Sequence, residues 1–219
     1  MTVKIYADLN QRAVVQSDDL PWIPSPLAGV ERRMLERDGD EVARATTIVR
    51  YAPNSYFDPH THDAGEEFLV LDGVFSDEMG DYPAGMYVRN PPGSQHKPHT
   101  EEGCTILVKL RQMDSGDGNF VRIDTNRAEW LPGTMEGLTV MPLYERNSEH
   151  VALVRFAPGA HFGRHGHPGG EEIFVLDGVL EDEHGRYPKG TWLRSPPGSA
   201  HQPFSTDGCT IYVKTGHLG

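Results

Sequence analysis

Apolar residues in this chain come in short bursts broken by turn formers. Thr47 to Ala52, Glu66 to Val70, Tyr87 to Arg89 and Thr105 to Lys109 are rich in β-branched and aromatic side chains, and Gly, Pro or Asp-Gly closes each. Such runs predict short strands. No stretch of a dozen residues repeats its apolar positions at helical spacing. Many short strands with Gly and Pro punctuation predict an all-β sandwich or barrel.

The pattern then recurs. VRYAPNSYFDPHTHDAGEEFLVLDG, from Val49, returns as VRFAPGAHFGRHGHPGGEEIFVLDG, from Val154. NPPGSQHKP returns as SPPGSAHQP, and GCTILVK as GCTIYVK, at the same interval of 105 residues (49 to 154, 90 to 195, 103 to 208). Upstream, Trp22-Ile23-Pro24 matches Trp130-Leu131-Pro132 with a small change in length. Two long copies are a tandem domain duplication rather than a solenoid array. The expected domains are residues 11–113 and 120–219, joined by the polar, Gly-rich linker 114–119.

Composition agrees with this reading. In 219 residues there are 24 Gly and 17 Pro, which disfavours long helices. Thirty-two Asp and Glu outweigh 20 Lys and Arg, a formal charge of -12, so direct nucleic-acid binding is not expected. No apolar run approaches a membrane span and Met1 to Asn10 has no signal-peptide core, so a soluble, cytoplasmic protein is expected. Two cysteines make no disulfide framework. Cys104 and Cys209 are expected as buried free thiols.

The 11 histidines change the picture. His60 and His62 are one residue apart, which on a strand puts both rings on one face. Glu66 follows at the start of the next strand and His96 comes after the Pro-Pro-Gly turn. The second copy has His165, His167, Glu171 and His201 at the same intervals, while neighbours such as Thr61 and Gly166 differ. Three neutral imidazoles and a carboxylate suit a first-row divalent ion. On one strand Glu66 and Glu67 cannot both face it, and the spacing to Asp-Gly selects Glu66 and Glu171. Glu67 and Glu172 are then supporting or interface residues. His99, His150, His184 and His217 read as surface or turn residues. His161, which stands where the first copy has Tyr56, reads as lining the approach to the site. Asp77-Glu78 and Asp182-Glu183 read as solvated hairpin tips. Arg89 and Arg194, before the Pro-Pro-Gly turns, are expected to bind an anion or a neighbouring carboxylate.

These motifs resemble the cupin superfamily. Gly159, His165, His167, Glu171 and Gly178 match its first motif, and the first copy matches with Asn54 for the leading Gly. Gly85, Pro91, Gly93 and His96, with Gly190, Pro196, Gly198 and His201, match the second, except that Thr100 and Ser205 replace its final Asn. The resemblance implies two tandem jelly-roll barrels, each with a metal at its mouth. Within cupins, the GEE, VLDGV, PPGS and GC-x-I-x-VK segments are similar to the cupin domain of ChrR-type zinc anti-sigma factors. That implies zinc first, with iron, manganese or nickel suiting the same ligands. In that family a separate helical zinc domain grips the sigma factor. The segment before the first copy holds no His or Cys, so sigma-factor binding is not expected. Two functions stay open: a sensing or small-molecule-binding module, or a dioxygenase cleaving a carbon–carbon bond of a diketone or hydroxyaryl ketone. Either is compatible with a small-molecule ligand and with a homodimer.

Overall fold

The structure, a computed structural model, describes residues 2–219. The strands that build it are, in chain order, β1 (Ala13–Gln16), β2 (Val30–Gly39), β3 (Ala43–Tyr51), β4 (His60–His62), β5 (Glu66–Asp77), β6 (Met86–Asn90), β7 (Ser94–His96), β8 (Cys104–Leu110) and β9 (Val121–Asp124). The second half continues with β10 (Leu138–Arg146), β11 (Glu149–Phe156), β12 (His165–His167), β13 (Glu171–Asp182), β14 (Thr191–Ser195), β15 (Ser199–His201) and β16 (Cys209–Thr215). Among the described residues the one helical segment is a short 3-10 turn at Ser17–Asp19, and no helix is long and apolar enough to cross a membrane.

The two halves fold alike. The first sheet runs β2-β3-β8-β5-β6-β9, and the second runs β10-β11-β16-β13-β14-β1, antiparallel throughout. Each is a jelly-roll β-barrel around its own apolar core. Phe68, Val70, Phe75, Val88 and Ile106 fill the first, and Ile173, Val175, Leu180, Leu193 and Ile211 take the same places in the second. Burying such side chains, each contributing roughly 1.5–3 kcal/mol, drives the collapse.

One expectation is corrected. The strand at Glu66 does not close at Asp72-Gly73 but runs on to Asp77. Thr105 pairs with Asp72 while Ile106 pairs with Val70, so Leu71 is an extra, bulged residue. One extra residue reverses which face each later side chain takes. Phe68 and Val70 face the core before the bulge, and Phe75 and Asp77 share that face after it. Gly73 accommodates the bend at φ +71, where a Cβ would lie 2.1 Å from the Gly103 carbonyl oxygen. The second copy repeats the bulge between Val175 and Asp177.

The compact units differ from the repeat bounds 11–113 and 120–219 in the edge segment that each takes. The strand after the linker, β9, pairs with β6 of the first barrel, whereas β1 pairs with β14 of the second. The compact units are therefore the segment ending at Ala7 with Leu20–Arg127, and Asp8–Asp19 with Ala128–Gly219. Each edge strand has unpaired backbone groups that a further strand can satisfy. Chain order alone does not say which strand does so. Nor is 114–119 merely a polar linker: Asp117 is buried, and its carboxylate accepts Nε and Nη2 of Arg89 at 3.3 and 2.9 Å.

Candidate metal centres

Strand pairing assembles each histidine group. β4 and β7 are antiparallel, with His60 opposite His96 and Ser94 opposite His62. His60 and His62 share a face, so the three rings converge, with centroids 4.8–4.9 Å apart. The Pro-Pro-Gly turn sets the register: Gly93, at φ +82, donates its amide to the His62 carbonyl at 2.8 Å. β12 and β15 repeat this, with His165 opposite His201 and centroids 4.7–5.1 Å apart. Glu66 and Glu171 enter from the first residue of β5 and β13, on the core-facing parity of Phe68 and Ile173.

The second group is the more complete. Ligand atoms of His165, His167, Glu171 and His201 all lie within 4.8 Å of one another. Glu171 Oε2 is 3.6 Å from His167 Nε2 and 3.4 Å from His201 Nε2. Those three buried atoms have no hydrogen-bond partner among the described residues. Orphaned buried donors and acceptors aimed at one point are costly unless something occupies that point. Three imidazoles and a carboxylate are what zinc and its first-row neighbours take, so the residues fit a divalent ion.

The first group gathers His60, His62 and His96, with the Nε2 atoms of His62 and His96 only 3.0 Å apart. Glu66 stands beside two of them, 3.4 Å from His62 Nε2 and 3.7 Å from His96 Nε2. Its Oε2 also accepts Nδ2 of Asn90 at 3.0 Å, and Arg122 on β9 donates to the Asn90 oxygen at 2.6 Å. Ser195 occupies the Asn90 place in the second barrel, paired to Glu171 as Asn90 is to Glu66.

Supporting contacts fix the rings. His60 Nδ1 lies 3.2 Å from the Asp58 carbonyl and His165 Nδ1 lies 2.9 Å from that of Gly163. A ring donating there leaves Nε2 as the free lone pair. His96 and His201 instead meet carboxylates, Asp77 Oδ2 at 3.2 Å and Asp182 Oδ2 at 3.4 Å. Tyr82 donates to Asp77 at 2.9 Å and Tyr187 to Asp182 at 2.6 Å. A guanidinium from each unit's added segment, Arg122 or Arg12, reaches the phenol at 3.1 or 2.6 Å.

These contacts sort the titrations. Burial pushes the Asp182 carboxyl up, but hydrogen bonds from His201, Tyr187 and the His184 amide outweigh it and hold the group at about 2. Burial lowers His201, and the Asp182 bond with nearby carboxylates more than restores it. His167 is pushed down to about 4 by burial, then by the neighbouring His201 and His165. Burial raises Glu171 to about 7. A buried imidazole held neutral at His167, beside a carboxyl that burial keeps protonated at Glu171, suits exchange of the carboxyl proton for a metal cation.

Several sequence expectations are revised here. Asp77 and Asp182 are buried, not solvated tips, because the bulge turns them inward. His217 is not a surface residue: its side chain is buried and Nε2 meets Glu172 at 2.6 Å. His161 is exposed and stacks on Phe204 at 5.1 Å, outside the gathered group. Glu67, as strand alternation requires, faces away from the first group and accepts Arg89 Nη1 at 2.6 Å. Arg194 donates to the Asp8 and Gln11 carbonyls. The missed residues, Tyr82, Tyr187, Arg12, Arg122 and Asn90, are common residue types, and the one available signal was that both copies keep Tyr-Pro after Asp-Glu.

Comparison with known proteins agrees with the geometry. The family model described as the ChrR cupin-like domain matches residues 10–114 and again 119–219. Among solved structures, a Nostoc punctiforme protein provisionally named a dioxygenase is similar at TM-score 0.79 and 17% identity, covering 95% of this chain and 84% of that one. A Pseudomonas aeruginosa protein provisionally named as glyoxylate-induced is similar at 0.74 and 17%, covering 98% and 91%. A Bacillus subtilis oxalate decarboxylase studied for its Mn(II) centres is similar at 0.63 and 12%, covering 94% and 77%. At these identities the likeness is one of fold. No curated protein matches the chain.

Proposed function

The chain belongs to the ChrR cupin-like domain family, and from that premise we propose that it is a cytoplasmic metal-binding bicupin that binds or senses a small molecule. One divalent ion, zinc first, is held in each barrel. The proposed ligands are His60, His62, Glu66 and His96 in barrel 1, and His165, His167, Glu171 and His201 in barrel 2. The observation that carries the reading is the trio of orphaned buried atoms, His167 Nε2, Glu171 Oε2 and His201 Nε2. The metal would supply a Lewis-acidic point that polarises a bound oxygen or nitrogen ligand. The chain's own residues do the rest. Asp77 and Asp182, by accepting Nδ1–H of His96 and His201, would keep the Nε2 lone pairs available to the ion. Elemental analysis of protein reconstituted with zinc, iron, manganese or nickel tests this. A ratio near two ions per chain is expected, and a ratio near zero with every metal overturns it.

A second reading is a metal-dependent dioxygenase acting on a diketone or hydroxyaryl ketone. It is favoured by barrel 1, where Glu66 is shared with Asn90 and three imidazoles leave positions for exogenous ligands. Oxygen uptake by the iron-loaded chain with a panel of such ketones, absent in the zinc-loaded chain, would support it. No uptake across the panel would leave the binding module.

A further inference from the structure

The two barrels diverge at one mouth. A cavity of ≈ 340 Å³ opens in barrel 1 and reaches His60, His62 and Glu66. Val49, Phe57 and Val108 rise into it from the core, and Leu27 and Val42 stand at its rim. That size and lining suit a small molecule with an apolar body.

Three cavity residues have no like counterpart in barrel 2. Arg32 pairs with Val49 across the ladder, where Val140 pairs with Val154. Arg37 pairs with Ala45, where Glu145 pairs with His150. Tyr51 pairs with Val30, where Phe156 pairs with Leu138. The hairpin between the first two strands is also longer in barrel 1. Gly39 to Ala43 lie between the paired Asp38 and Arg44, whereas Asn147 and Ser148 alone lie between Arg146 and Glu149. The extra residues bring Glu41 and Val42 to the cavity.

The arginines are poorly matched by the protein itself. Arg37 is 4% exposed, yet no carboxylate pairs with it among the described residues. Its guanidinium donates to the neutral carbonyls of Gly39 and Asp40. Burial and then the neighbouring Arg32 charge disfavour its cation, and the Glu41 and Asp40 carboxylates offset this only in part. Arg32 is paired with Glu41 at 3.0 and 3.3 Å, but the Glu41 side chain is 61% exposed on the turn, and Arg32 Nε is buried without a partner. A buried guanidinium facing a cavity without its own carboxylate is suited to a carboxylate from outside.

We propose that the barrel 1 cavity is the site for a small organic acid, and that barrel 2 has no such site. The carboxylate is taken by Arg37 and by Arg32, which gives up Glu41. The apolar body lies against Val49, Phe57 and Val108, with Tyr51 in the cavity wall. This rests on the small-molecule-binding reading above and names its ligand class.

Calorimetric titration of the full-length chain, apo and zinc-loaded, with metal content measured on each sample, tests the proposal. The probe is 3-phenylpropanoate, with 3-phenylpropanamide and inorganic phosphate as controls. The acid should bind once per chain, with amide and phosphate weaker by about tenfold or more. Arg37→Met should weaken it by about tenfold, and Glu145→Ala in barrel 2 should leave it unchanged. Glu41→Gln should tighten it several-fold, a change that a merely damaged fold would not produce. Equal affinity for acid and amide, phosphate as tight as the acid, or no gain from Glu41→Gln overturns the proposal. Two ions per chain without acid binding sinks the organic-acid site and leaves the metal reading. Acid binding without metal uptake does the reverse.

Discussion

Asp182 shows how much one side chain decides at the residue scale. Its carboxylate takes His201 on one oxygen, and Tyr187 with the His184 amide on the other. Second partners of this kind are worth about 10- to 100-fold in metal affinity. Asp182→Asn should therefore weaken zinc at barrel 2 by that order in a chelator competition, with the fold retained by circular dichroism. Glu171 makes a sharper prediction. Burial raises its carboxyl to about 7, so near pH 6.5 the metal-free group is mostly protonated. A metal takes the carboxylate, so binding must expel that proton. Calorimetry in buffers of different ionisation enthalpy should find wild type releasing more protons than Glu171→Gln at about pH 6.5. The difference should fade by about pH 9, where the acid is already ionised. Equal release at both pH values would contradict a Glu171 ligand that is protonated before the metal binds. Cys104 and Cys209 are buried free thiols, raised by burial to about 12 and about 11. Both should react slowly with Ellman's reagent until the chain is denatured.

At the scale of elements, the strand added to each barrel edge has the most consequence. Arg89 is fully buried between Glu67 and Asp117, and Asp117 lies in the segment that leads β9 to its place. In the second barrel the segment before β1 supplies the Asp8 and Gln11 carbonyls to Arg194 instead. Removing one partner of a buried charge costs about 3 kcal/mol. Asp117→Ala should lower unfolding stability by that order in a urea titration, whereas Ser115→Ala, on the exposed part of the same segment, should cost little. The strand cores were legible in the sequence, since EEFLV and TILVK carry β-branched and aromatic runs that a pleated, buried surface requires. Their ends were not, because Asp72-Gly73 has turn chemistry but here makes a bulge within a continuing strand. The gathering of the histidines was legible because both copies space them alike. Asp77 and Asp182 were not, because their inward direction depends on that bulge.

On the scale of the whole molecule, duplication gives two barrels with one strand order and two histidine groups of nearly one shape. What differs is local: Asn90 against Ser195 beside the glutamate, and Arg32, Arg37 and a longer hairpin at one mouth. If each barrel holds its own metal through its own histidines, the two sites are lost independently. Native mass spectrometry of the zinc-reconstituted chain and of His62→Ala, His167→Ala and the double variant tests it most directly. Two ions are expected in wild type, one in each single variant and none in the double variant, all folded by circular dichroism. Two ions retained in either single variant, or one lost in both without further loss in the double, would contradict it.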